Sequence, residues 1–173
     1  MKRNGTALVT GASSGLGVAF VHALAARGYD VALSARSQAP MERLADEIRQ
    51  AHGVAATVHL QDLSEPGSAA ALVAQLDAQG IAPDVLVNNA AFGLHGPFVD
   101  YDPARLTAML QLNMVSLAEL TLLLGRRMWQ DGSGHILLTG SGAAFQPTPT
   151  MAGYGATKAF LLSLGEALHV ERA

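Results

Sequence analysis

Short apolar runs alternate with segments of helix length along the whole chain. Thr6 to Thr10, Asp30 to Ala35, Val54 to His59, Asp84 to Asn88 and Gly134 to Thr139 each read as a strand. Between them, Val18 to Arg27, Met41 to Ala51, Ser64 to Gln79 and Asp102 to about Trp129 read as helices, and a last one runs from Gly153 to about Arg172. Gly28, Gly53 and Gly80 supply helix stops, Ser64 an N-cap, and Asp102-Pro103 a cap followed by a first-turn proline. Such alternation requires parallel strands joined by crossovers. Strands this continuously apolar fit a sheet covered by helices on both faces. The expected fold class is therefore α/β, a doubly wound parallel sheet in a single domain over residues 1–173.

Composition narrows the chemistry. Half the 173 residues are hydrophobic and 14% are charged, against roughly 25% in an ordinary soluble protein, so disorder is excluded. A net charge of -3 with scattered basic residues argues against a nucleic-acid surface. The absence of cysteine removes disulfides, thiolate zinc sites and Cys nucleophiles. His22, His52, His59, His95, His135 and His169 form no ligand-spaced pair, so no metal is expected. Met1-Lys2-Arg3 begins like a targeting segment, but Gly11, Ser13, Ser14 and Gly15 interrupt any apolar stretch behind it. Met109 to Trp129 carries Asn113, Glu119, Arg126 and Arg127, which suits a buried helix better than a membrane span. A cytoplasmic, self-associating protein with no membrane partner is expected.

Ligands of such a sheet bind beyond the carboxyl ends of the strands, where the strand order reverses. Thr10-Gly11-Ala12-Ser13-Ser14-Gly15-Leu16-Gly17 follows the first strand and opens the first helix. Glycines there let the backbone approach a pyrophosphate, whose charge suits free N–H groups and the helix dipole. The spacing differs from the commoner Gly-x-Gly-x-x-Gly fingerprint, and a plain strand-to-helix turn is its bland reading. Ser34-Ala35-Arg36-Ser37 ends the second strand. An acid at this place favours NAD, whereas an arginine favours the 2′-phosphate of NADP. Arg36 therefore predicts a preference for NADP(H), with NAD(H) second; its bland reading is a solvated surface side chain. Tyr154 and Lys158 lie four residues apart on one helix face. An ammonium near a phenol favours its ionised form, although an isolated Tyr-x-x-x-Lys pair is usually a helix-surface accident.

Taken in order, Thr10-Gly11…Gly15…Gly17, Asp62, Asn88-Asn89-Ala90, Asn113, Ser141 and Tyr154…Lys158 resemble the motifs of the short-chain dehydrogenase/reductase family over essentially the whole chain. The resemblance implies a Rossmann-type sheet of order 3-2-1-4-5 and an NAD(P)-dependent oxidoreductase that moves hydride between a nicotinamide and a carbonyl or alcohol. It implies a catalytic set of Asn113, Ser141, Tyr154 and Lys158. Tyr154 would be the acid/base, with Lys158 assisting it and holding the nicotinamide ribose. Ser141 would hydrogen-bond the substrate oxygen, and Asn113 would hold a water linking Lys158 to solvent. Cofactor contacts would come from Gly11, Ser13, Ser14, Gly15, Leu16, Gly17, Arg36, Asp62, Leu63, Asn89, Ala90, Tyr154 and Lys158, with Asp62 on the adenine and Asn88 in support. The implied partners are a small carbonyl or alcohol substrate and further copies of the chain, as homodimer or homotetramer. The bland readings are a cap for Ser141, a turn for Asp62 and a buried amide for Asn113.

Two departures from the family stand out. Asn88-Asn89-Ala90-Ala91 has alanine where glycine is usual. Family members also continue past the Tyr/Lys helix, so the chain reads as truncated, with the fifth strand left as an unpaired apolar edge that invites association. A nucleotide-binding but catalytically silent module, or a fragment completed by a partner, is the rival reading. His95 and Phe145-Gln146-Pro147-Thr148-Pro149 border the expected substrate side, and Met109, Met114, Leu117, Leu120 and Leu124 read as core or dimer contacts.

Overall fold

Alternate residues of each central strand feed opposite faces of one sheet, and each face is closed by its own helices. In the computed structural model, which describes residues 4–171, the strands are β1 (Thr6–Thr10), β2 (Asp30–Ala35), β3 (Ala56–Leu60), β4 (Val85–Asn88) and β5 (His135–Leu138). All neighbouring pairs are parallel and the order is β3-β2-β1-β4-β5, as expected. Helices α1 (Gly15–Ala25) and α2 (Gln38–His52) cover one face, where Val9, Leu33 and Val87 pack against Val21, Met41 and Ile48. Helices α3 (Ser68–Ala78) and α5 (Leu117–Gln130) cover the other, where Leu8, Ala32 and Leu86 meet Leu72, Leu76, Leu120 and Leu124. Chain direction changes side between β1 and β4, which opens a crevice at their carboxyl ends.

Several boundaries differ from the sequence reading. Helix α3 starts at Ser68, not Ser64. The Ser64 amide and hydroxyl both donate to Asp62 Oδ1, at 2.9 and 2.6 Å, so Ser64 closes an Asx turn and is not free to cap. Strand β3 begins at Ala56, because the Ala55 amide is held by Asp30 Oδ1 at 2.7 Å. The expected single helix from Asp102 is divided into α4 (Pro103–Leu110) and α5 by a π-helical turn, Gln111–Ser116. Asp102 does cap α4, accepting from the Ala104 and Arg105 amides. Taken as one stretch, Pro103–Gln130 is long and apolar enough to cross a membrane by length and composition. In the fold its Met109, Leu120, Leu124 and Met128 are buried, and Arg127 pairs with Asp77 of α3. The last helix, α6, spans Ala152–Glu171; Arg172, like Met1-Lys2-Arg3, lies outside the described residues.

Strand β5 pairs with β4 alone among the described strands, and Leu137 is 40% exposed on it.

His59 is buried on β3, with Nε2 2.9 Å from Thr57 Oγ1 and Nδ1 without a partner. Burial pushes its pKa below the ordinary histidine value. As pH falls below about 6.5, the unfolded chain takes up a proton that the folded chain refuses, so stability drops. His59→Leu should flatten the fall in unfolding free energy between about pH 7 and 5. An unchanged slope in denaturant titrations across that range would assign the acid sensitivity elsewhere.

Candidate functional site

The carboxyl ends of β1 and β4 are stitched together by one hydroxyl. Thr10 Oγ1 donates to Val87 O at 3.3 Å and accepts from the Asn89 and Ala90 amides, each at 3.0 Å. Asn89 Nδ2 returns a bond to Thr10 O at 3.0 Å. The glycine loop and the Asn88-Asn89-Ala90 turn therefore form one unit. Gly11 sits at φ +66° with its Cα against Ala90, where a Cβ would lie 2.9 Å from Ala90 Cα. Gly17 is buried beneath the loop, and a Cβ there would run into the Gly11 carbonyl. Both positions need glycine for close backbone approach. Ala91 is exposed, so the methyl that replaces the family's usual glycine points into space rather than into the turn.

A cleft of about 440 Å³ opens at this seam. Its walls bring together Gly11, Ser13, Ser14, Gly15 and Leu16 with Arg36, Asp62, Leu63, Asn89, Ala90, Tyr154 and Lys158. Gly17, Asn113 and Ser141 stand outside that lining. Ser141 follows Gly140, which lines both the cleft and an adjoining apolar groove of about 500 Å³ that Ser141 enters. Ser34, Ala35, Ser37, Gln61, Ala91, Leu112, Thr139 and Gly140 also line the cleft and were not picked out from the sequence. Thr139 and Ser34 could have been, from their place at strand ends; nothing marks Leu112 or Gly140.

At one end of the cleft, Arg36 Nη1 lies 3.7 Å from Asp62 Oδ2. Burial alone would raise the Asp62 carboxyl, but the bonds from Ser64 and the Arg36 guanidinium together hold it below the usual carboxylate range. At the other end, Lys158 is 4% exposed and donates to Thr139 O at 2.8 Å. Burial pushes the lysine pKa down. Its Nζ stands 5.7 Å from the centre of the Tyr154 ring. Gly93 lies against that ring, where a Cβ would lie 3.2 Å from Tyr154 Cδ2.

Asn113 reaches the site through its neighbours. Buried in the π-helical turn, it accepts from Phe92 N at 3.2 Å and donates to Phe92 O at 2.9 Å and Thr157 Oγ1 at 3.1 Å. Thr157 Oγ1 donates in turn to Tyr154 O at 2.8 Å. Ser116, in the same turn, donates to Leu63 O at 2.7 Å. The bland readings hold alongside the site: Ser141 Oγ accepts from Ala143 N at 3.2 Å as a cap, and Asp62 closes its turn. These bonds aim the side chains without consuming all their capacity. Asn88 ties β4 to α5 through Thr121 Oγ1 at 2.9 Å.

The cleft suits a dinucleotide on its own geometry. Backbone is pressed close at Gly11 and Gly17, the loop leads into the N-terminus of α1, and Ser34 Oγ and Thr139 Oγ1 are buried in the walls with no partner. Orphaned polar atoms of this kind await a ligand or water.

Comparison with known proteins agrees. The family model for short chain dehydrogenase matches residues 5–173. A very-long-chain 3-oxoacyl-CoA reductase of Anas platyrhynchos is 34% identical over 169 residues, covering 95% of this chain and 54% of that protein. The chain thus spans about half the length of the curated relatives it matches. Among solved structures, a short-chain dehydrogenase from Sphingobium yanoikuyae in complex with NADPH is 36% identical with a TM-score of 0.90, covering 96% of this chain and 65% of that one. A bulky-bulky ketone specific alcohol dehydrogenase from Comamonas testosteroni is 34% identical with a TM-score of 0.92, covering 98% and 68%.

Proposed function

The chain belongs to the short-chain dehydrogenase family, and from that premise we propose that residues 1–173 form one dinucleotide-binding unit of an oxidoreductase that prefers NADP(H) and acts on a carbonyl or alcohol. One observation carries the reading: Tyr154 and Lys158 line the same cleft as the glycine loop and Arg36. When bound, the nicotinamide supplies or accepts the hydride at the reacting carbon. Tyr154 gives its hydroxyl proton to the carbonyl oxygen, or takes one from the alcohol in the reverse direction. The Lys158 ammonium, 5.7 Å from the ring centre, lies beside the phenol on the wall of the same cleft, placed to hold the nicotinamide ribose. Ser141 donates to the oxygen on which charge develops. Asn113 positions Tyr154 through Thr157 and the loop after β4 through Phe92. Self-association as a homodimer or homotetramer is part of the same proposal, from membership of the family.

Calorimetric titration with NADPH and separately with NADH tests the nucleotide site. Tighter NADPH binding is expected, and binding of neither would overturn the proposal. Arg36 is exposed and its one ion pair among the described residues is the long contact to Asp62, so its guanidinium is available to a 2′-phosphate. Arg36→Asp should lower the ratio of NADPH to NADH affinity by at least about tenfold, since a charge-assisted bond is replaced by repulsion. An unchanged ratio would mean that the phosphate is read elsewhere.

A further inference from the structure

The loops on the substrate side of Tyr154 carry no full charge, and the groove beside them that Ser141 enters has one carboxylate in its lining, Glu166. Residues 91–99 and 139–157 contain no Asp, Glu, Lys or Arg. The two segments meet around Thr150, whose carbonyl accepts from Gly96 N at 2.8 Å and from the Tyr101 hydroxyl at 3.3 Å. Thr150 holds this position at φ 65°, a left-handed conformation that threonine rarely adopts. His95, the one titratable side chain on the first segment apart from its backbone, is paired through Nε2 with Thr150 Oγ1 at 3.3 Å. Gly93 lies against the Tyr154 ring, and Met151 Cε lies beside the same glycine. Phe98 and Phe145, one on each segment, stand 55% and 75% exposed, and Phe145 lines the groove that Ser141 enters. The site's two cations are already placed: Lys158 is buried and bonded to Thr139 O, and Arg36 lies at the far end beside Asp62.

We infer that the substrate is an apolar ketone or secondary alcohol with no carboxylate or phosphate near its reacting carbon. An anionic group carried against these loops loses its water, meets no cation and has the Glu166 carboxylate close by, which is costly. An apolar body gains by covering Phe98 and Phe145, while Ser141 and Tyr154 receive its single oxygen. The inference rests on the oxidoreductase reading for the identity of the reacting group.

Ligand-observed NMR with acetophenone and its para-carboxylated analogue, on the full chain with and without NADPH, separates the two. The neutral ketone should bind at least about tenfold more tightly than the carboxylate. Phe145→Lys, at an exposed rim position, should recover most of the carboxylate's deficit by supplying the missing cation. A carboxylate that binds equally or more tightly to the unaltered chain overturns the inference, as does failure of the neutral ketone to bind. Failure of NADPH to bind sinks the oxidoreductase proposal instead, and the ratio of the two ketones is still read from the nucleotide-free chain.

Discussion

Tyr154→Phe should lower turnover by about 10²–10⁴-fold, the range for losing a positioned proton donor, while NADPH affinity stays within about twofold. The substitution removes one hydroxyl and leaves the ring between Gly93 and Lys158, so packing is preserved. The Lys158 ammonium keeps its bond to Thr139 O, and the glycine loop is untouched. Steady-state kinetics with a reducible ketone, together with nucleotide titration and a melting curve, separates the chemical role from a structural one. Turnover equal to that of the unaltered protein would refute Tyr154 as the acid/base. A parallel loss of nucleotide binding or of melting temperature would instead make its role structural.

The second large effect is expected at a residue that touches no substrate. Gly17→Ala should destabilise the fold by about 1–3 kcal/mol, the usual cost of overpacking, and weaken NADPH binding by more than about tenfold. The new methyl would overlap the Gly11 carbonyl and lie 2.8 Å from Gly11 C and 3.0 Å from Ala12 Cα. Those are backbone atoms, which cannot rotate away as a side chain does. The Gly11 loop must shift, and Thr10 is bonded to the Asn89 and Ala90 amides, so the displacement spreads to the turn after β4. Gly15→Ala is the control. Gly15 has φ +55° but nothing within 4 Å of its Cβ position, so its cost is the left-handed backbone of about 1–2 kcal/mol without a collision. Comparable losses of nucleotide affinity in the two variants would show that backbone conformation, not crowding, controls the loop.

The strands were legible because burial on both faces makes them apolar almost without interruption, and glycines and prolines mark what lies between. Parallel pairing and a cleft at the strands' carboxyl ends follow from that alternation, whereas the strand order follows from the family resemblance. The glycine loop, Arg36 and the Tyr154–Lys158 pair were legible as types at spacings, and the cleft gathers them. Connections read less well. Ser64 has the chemistry of a cap, but Asp62 competes for its donors, and sequence alone does not reveal which bond wins. The π-helical turn was invisible, since Met109, Leu117, Leu120 and Leu124 keep a spacing that an unbroken helix also satisfies. Asn113 reads as a water-holding residue of the mid-helix; its amide also bonds Phe92 and Thr157, partners from distant segments that no local pattern discloses. Thr150 is the opposite case, because its left-handed backbone runs against the local preference and is imposed by Gly96 and Tyr101.

The π-helical turn can also be counted as chain length. A turn closed by i→i+5 bonds holds one more residue than an α-helical turn, so Gln111–Ser116 carries a surplus of one. Deleting any single residue of the six would let α4 and α5 join as one regular helix and rotate α4 by about 100° relative to α5. A deletion on the carboxyl side of Asn113 would swing it away from Phe92 and Thr157, and one on its amino side would turn Leu106 and Met109 of α4 away from Gly153 instead. This segment therefore tolerates exchange of letters far better than loss of one, and the number of residues in it is itself part of the candidate site.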